Sequence, residues 1–112
     1  MSKSAITMTN KTMRRTKRFA PVHPGEVILH DYIEPLAMSR YSLAKALGVT
    51  EARIGEIIRG RRSISPDTAL RLARYFGTSP EFWMGMQAHY DLECARDSAL
   101  AVIEREVQPR AA

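Results

Sequence analysis

The stretch from Ser39 to Ile58, Ser-Arg-Tyr-Ser-Leu-Ala-Lys-Ala-Leu-Gly-Val-Thr-Glu-Ala-Arg-Ile-Gly-Glu-Ile-Ile, allows few folds, because it holds two short amphipathic helical patterns joined by a glycine turn. Leu43, Ala44 and Leu47 recur at helical spacing in the first pattern, and Ile54, Ile57 and Ile58 in the second. Ala44 is small enough for two helices to cross closely, and Gly48, four residues on, suits a turn that needs a positive φ. Ser39 and Thr50 each stand where a hydroxyl caps the helix that follows. This is the pattern of a helix-turn-helix, and it points to double-stranded DNA as a partner.

The flanking sequence reads as helical throughout. Pro24 suits the first position of a helix on which Leu29, Ile33 and Leu36 share a face, and which should stop near Glu34 because Pro35 disfavours helical geometry before it. Gly60 ends the third helix, Ser65 and Pro66 open a fourth over 66–76, and Gly77 closes that one. The fourth carries Ala69, Leu70, Ala73 and Phe76 at helical spacing. Ser79 and Pro80 open a fifth, which bears Phe82, Trp83, Met86 and Tyr90 and continues its pattern through Leu92, Ala95, Ala99, Leu100 and Ile103. Whether 81–107 is one helix or two is open. At 112 residues the chain has length for one modest core. The expected organisation is a mobile basic arm over 1–22, a helix-turn-helix domain over 23–95, and a helical extension with its tail over 96–112.

Charge is unevenly spread around the net value of +5. The arm carries Lys3, Lys11, Arg14, Arg15, Lys17 and Arg18 with no acidic residue, whereas 21–39 holds only Glu26, Asp31 and Glu34. Basic residues dominate again over 40–74, and acidic ones over 81–112. A polyanion would meet the arm and the helix-turn-helix, while the acidic carboxyl-terminal part is placed to avoid DNA or to meet a basic protein. The arm suits a minor groove or, equally, another partner.

A recognition helix enters the major groove by its amino-terminal end, which assigns base reading to Thr50, Glu51, Arg53 and Glu56. Arg53 is the residue to pair with guanine; Glu51 and Glu56 either accept from cytosine or pair with Arg53 and solvent; Thr50 meets a thymine methyl. Arg40, Ser42, Arg59, Arg61 and Arg62 flank this reading head as phosphate contacts. Two reading heads one DNA turn apart require a homodimer. Its interface is expected among Phe82, Trp83, Met86 and Tyr90, unless these form core, in which case Met84 and Leu92 are the surface alternatives.

Other chemistry is not expected. His23, His30 and His89 are scattered and Cys94 is the only cysteine, so no zinc-site spacing and no disulfide framework arise. Asp31 and Glu34 read as exposed rather than as an acid/base pair, and no phosphate-cradling glycine loop is present. No cofactor and no enzymatic activity are expected. The absence of a bilayer-length apolar run or a secretory signal suggests a soluble cytoplasmic protein without a membrane partner.

The motifs His23-Pro24-Gly25-Glu26, Ser39 to Ile58, Gly60-Arg61-Arg62, Asp67 to Ala73 and Gly77-Thr78-Ser79-Pro80-Glu81-Phe82-Trp83 together resemble the HigA family of addiction-module antitoxins, a branch of the Xre/Cro-type helix-turn-helix repressors. The resemblance runs from about residue 23 to 92 and implies an all-α, five-helix, lambda-repressor-like domain. It also implies a homodimer that binds a palindromic operator in its own promoter and silences a small basic RelE-like ribonuclease, a HigB-like toxin. The family's DNA-reading positions fall on Thr50, Glu51, Arg53 and Glu56. The arm before His23 departs from the family's pattern and inherits no role. The alternative is a free-standing Xre-type regulator without a toxin.

Overall fold

A computed structural model of the chain describes residues 20–111, all of whose regular elements are helices. Most of the arm expected over 1–22 lies outside the described residues. The first helix, α1, opens as an α-helix over Pro24–Val27 and continues as a wider π-helical stretch, Ile28–Ile33. It is followed by α2 (Arg40–Leu47), α3 (Glu51–Ile58), α4 (Pro66–Phe76) and α5 (Pro80–Glu106).

Every helix start is set by a local side chain. His23 caps α1 through Nδ1, which accepts from the Gly25 N–H at 2.9 Å, with Pro24 in the first turn. Ser39 and Ser42 form a reciprocal capping box on α2: Ser39 Oγ accepts from the Ser42 N–H at 2.9 Å, and Ser42 Oγ from the Ser39 N–H at 3.0 Å. Thr50, Ser65 and Ser79 accept from the N–H groups of Arg53, Thr68 and Phe82 in the same way. Gly48 and Gly77 close α2 and α4 at φ of 72° and 75°, backbone that a β-carbon disfavours.

Two inward assignments are corrected. Leu36 is 57% exposed, since α1 has ended and the seven-residue spacing from Leu29 no longer describes a helix. Within the π-helical stretch, the Glu34 N–H bonds to the Leu29 carbonyl five residues back at 2.9 Å. Residues five apart then share a face, which is why Ile28 and Ile33 both enter the core. In α4, Leu70 is 60% exposed, and the buried face is Ala69, Leu72 and Ala73. One apolar residue was thus assigned a face that its neighbour occupies.

Ile28, Leu43, Ile54, Ile57, Ile64, Leu72 and Trp83 form the sealed centre of the core. Trp83, a candidate for the dimer surface, is fully buried and stacks near Tyr32, with ring centres 5.5 Å apart. Its indole N–H donates to Thr78 Oγ1 at 2.7 Å, so the ring is committed to the fold rather than available to a partner. Gln87 is also buried; its Oε1 accepts from the Ile64 N–H at 2.8 Å and its Nε2 donates to Asp91 at 2.9 Å. The bond to Ile64 ties α5 to the loop before α4, the one to Asp91 lies within α5, and together they leave neither end of the amide unpaired. α1 lies against α3 so closely that a β-carbon on Gly25 would stand 1.9 Å from the Ile57 carbonyl oxygen. The backbone of α1 therefore serves as part of the platform that carries α3.

The region 81–107, open between one helix and two, is a single 27-residue helix to Glu106. At 1.5 Å per residue it spans about 40 Å, and beyond Asp91 none of its residues is fully buried.

Candidate nucleic-acid interface

α2, the Gly48 turn and α3 build one face, and α4 holds it in place. Arg71 Nη1 donates to the carbonyls of Leu47 at 2.9 Å and Gly48 at 3.4 Å, the last turn of α2 and the turn itself. These carbonyls have no helical partner, so a cation there satisfies them and complements the carboxyl-terminal end of the helix dipole. The sequence reading did not assign this role to Arg71; a basic residue far along the chain gives no local sign that it folds back on a turn.

At the amino-terminal end of α3, Thr50, Glu51 and Ala52 are exposed. Thr50 Oγ1 accepts from the Arg53 N–H at 3.1 Å, a bond that does not use the hydroxyl proton. Arg53 is less open: its side chain is 32% exposed and leans toward α4, with Nη1 3.4 Å from Asp67 Oδ2. Glu56 pairs neither with Arg53 nor with solvent alone, because its Oε1 accepts from Arg62 Nε at 2.9 Å. One residue assigned to bases and one assigned to phosphate are thereby brought together, each partly neutralising the other.

Arg40, Glu51, Ala52, Gly55 and Arg59 line a shallow hollow of about 270 Å³ between the start of α2 and the outer side of α3. The Arg59 guanidinium lies over Gly55, where an added β-carbon would be 3.3 Å from Nη1. Neither Ala52 nor Gly55 carries a hydrogen-bonding side chain that would mark it in sequence: Ala52 is small and exposed, and Gly55 is buried beneath the Arg59 guanidinium. Arg61 is exposed. The Ser42 hydroxyl takes part in the cap of α2, donating to the Ser39 carbonyl at 3.0 Å and accepting from the Ser39 N–H.

Of the remaining dimer candidates, Phe82 is 42% exposed, while Met86 and Tyr90 are half-buried. The Tyr90 ring meets His23 edge-on at 4.8 Å. Met84 is half-buried and Leu92 is 51% exposed. Beyond Leu92, α5 exposes Leu100, Val102 and Ile103 at 41–47%.

Titration shifts follow local geometry. Burial holds His23 below its ordinary value, against the pull of the Asp91 and Glu26 carboxylates. A hydrogen bond from Arg71, joined by Arg53, holds Asp67 below its ordinary value. His30 is raised by its hydrogen bond to Glu34. Among the described residues no group of three His, Cys, Asp or Glu is arranged to hold a metal, and no helix is long and apolar enough to cross a membrane.

A capped α2, a glycine turn and an α3 with an open first turn define a helix-turn-helix protein, and the helix-turn-helix family model matches residues 29–83. Virulence-associated protein I of Dichelobacter nodosus is 46% identical over 81 residues, 72% of this chain and 75% of that protein. Antitoxin HigA-1 of Vibrio cholerae is 38% identical over 80 residues, 71% of this chain and 74% of that protein. Among solved structures, an addiction module antidote protein of the HigA family from Coxiella burnetii superposes with a TM-score of 0.78 at 43% identity, covering 82% of this chain and 100% of that one. The Pseudomonas aeruginosa antitoxin HigA with the higBA promoter gives a TM-score of 0.79 at 40% identity, covering 81% of this chain and 99% of that one. This chain belongs to the HigA family of antitoxins. Its kinship is with antitoxins and helix-turn-helix regulators, not with enzymes, as the sequence led us to expect.

Proposed function

We propose that this protein is the antitoxin of a type II toxin-antitoxin module, which represses its own operon by sequence-specific DNA binding as a dimer and neutralises a RelE-like ribonuclease, a HigB-like toxin, in the cytoplasm. The observation that carries the reading is the open first turn of α3, with Thr50, Glu51 and Ala52 exposed between the cations Arg40 and Arg59. That is the arrangement a reading head needs: small and polar groups toward base edges, cations toward the phosphates on either side. The HigA of Pseudomonas aeruginosa, similar over most of this chain, has been solved with its promoter DNA.

In this proposal Thr50, Glu51, Ala52 and Arg53 meet bases, Glu56 sets the position of Arg62, and Arg40, Arg59, Arg61 and Arg62 meet phosphates. Residues 23–95 form the DNA-reading domain, 96–112 the extension, and the basic arm of 1–22 adds to DNA binding. The dimer pairs through α5, whose Phe82, Leu92, Leu100, Val102 and Ile103 are exposed large apolar side chains among the described residues. The decisive experiment is co-expression with the product of the adjacent small gene, followed by co-purification and a gel shift on the DNA upstream of the operon. A stable complex and a specific shift are expected. A specific shift with no co-purifying partner would leave a free-standing regulator in place of the antitoxin.

A further inference from the structure

Asp67, in the first turn of α4, stands 59% exposed beside the proposed DNA face, where a negative charge opposes phosphate. Its Oδ2 accepts from Arg71 Nε at 2.8 Å and lies 3.4 Å from Arg53 Nη1. Arg71 is in turn bonded to the carbonyls of Leu47 and Gly48, so the carboxylate is anchored to the turn of the helix-turn-helix itself. The short bond fixes Asp67; the long one restrains the Arg53 guanidinium without engaging it fully. That guanidinium carries five N–H donors, of which Asp67 meets one.

We propose that Asp67 is a positioning residue for Arg53. It holds the guanidinium in the orientation from which its remaining N–H edge meets the DNA, and so sets sequence preference. The inference rests on the DNA-reading proposal above. An untethered arginine must lose its rotamer freedom on binding, whereas a tethered one has already lost it. The carboxylate also repels the phosphates of any sequence, so it weakens binding to DNA at large while sharpening the choice of site.

The test is fluorescence anisotropy with two labelled duplexes, one taken from immediately upstream of the gene and one a shuffled duplex of the same composition. Wild type, D67N, R53A and the double variant are compared. D67N should bind the shuffled duplex more tightly and lose about threefold to tenfold of its preference for the upstream duplex, the size expected for ordering one long side chain. In the R53A background D67N should leave the remaining preference unchanged, because the two residues act through one contact. Asp67→Ser carries the same comparison should asparagine disturb the fold, which thermal melting reads. Equal gains on both duplexes, or the same loss of preference with and without Arg53, would overturn the inference. A wild-type chain that does not distinguish the duplexes would instead overturn the DNA-reading proposal, a separate and recognisable failure.

Discussion

Gly25 is the residue whose role is least visible in its own neighbourhood. Its α-carbon hydrogen faces the Ile57 carbonyl across the α1–α3 contact, and both sides of that contact are backbone. Gly25→Ala should therefore destabilise the fold by about 3 kcal/mol or more, since neither strand of main chain can step aside cheaply; urea unfolding measures it. His23 is only 5% exposed, caps α1 through a lone pair on Nδ1 and is held below its ordinary pKa by burial. The unfolded chain then takes up the proton first as pH falls, so stability is full above about pH 6.5 and is lost as pH drops from there toward the lower folded value. Urea midpoints at about pH 7.5 and 5.5 should differ in that direction, and His23→Asn, which caps without titrating, should narrow the difference. Pro24 marks the helix start in the sequence; that the His23 ring packs against Tyr90 and over Gly60 is not legible there, because those contacts join residues far apart in the chain.

The helices themselves were legible to the extent that their ends are marked locally. Ser39, Thr50, Ser65 and Ser79 mark the starts of α2 to α5, and Gly48, Gly60 and Gly77 the stops of α2, α3 and α4; the end of α5, which no glycine marks, was not legible. What periodicity misjudged were faces: Leu36 and Leu70 point outward, the first because α1 winds wider and ends early, the second because the apolar stripe of α4 runs one step to the side. Arg71 shows the same limit for function, since its bonds to Leu47 and Gly48 span more than twenty residues of sequence. Arg71→Ala should cost about 1 kcal/mol, reduced by the partial exposure of the side chain, and should speed amide hydrogen exchange at Val49 in the turn. Unchanged exchange there would show that the turn holds without its clamp. For α5, truncation after Cys94 removes almost no core residue but takes away Leu100, Val102 and Ile103. The shortened chain should keep its helical circular dichroism per residue and sediment as a monomer, whereas an unaltered dimer would place the interface nearer Phe82.

At the scale of the whole molecule, the sequence places basic groups on the helix-turn-helix and acidic ones toward the carboxyl terminus, and the fold sets Arg40 and Arg59 beside the exposed first turn of α3 while α5 packs chiefly on α4. Charge distribution is readable from sequence because it needs no contacts. The long-range partnering of those charges is not: Glu56 with Arg62 and Asp67 with Arg53 emerged only once α4 and the turn before it were in place, whereas Asp67 and Arg71 pair four residues apart on one helix. If a dimer neutralises about six phosphates, the logarithm of affinity should fall against the logarithm of salt with a slope of about −5. The central claim is that two copies of α3 read one operator from the same side of the duplex, and hydroxyl-radical footprinting of the DNA upstream of the gene tests it most directly. Two protected patches with centres about 10 base pairs apart are the predicted result. No protection above that of unrelated DNA, at concentrations where the duplex is bound, would contradict it.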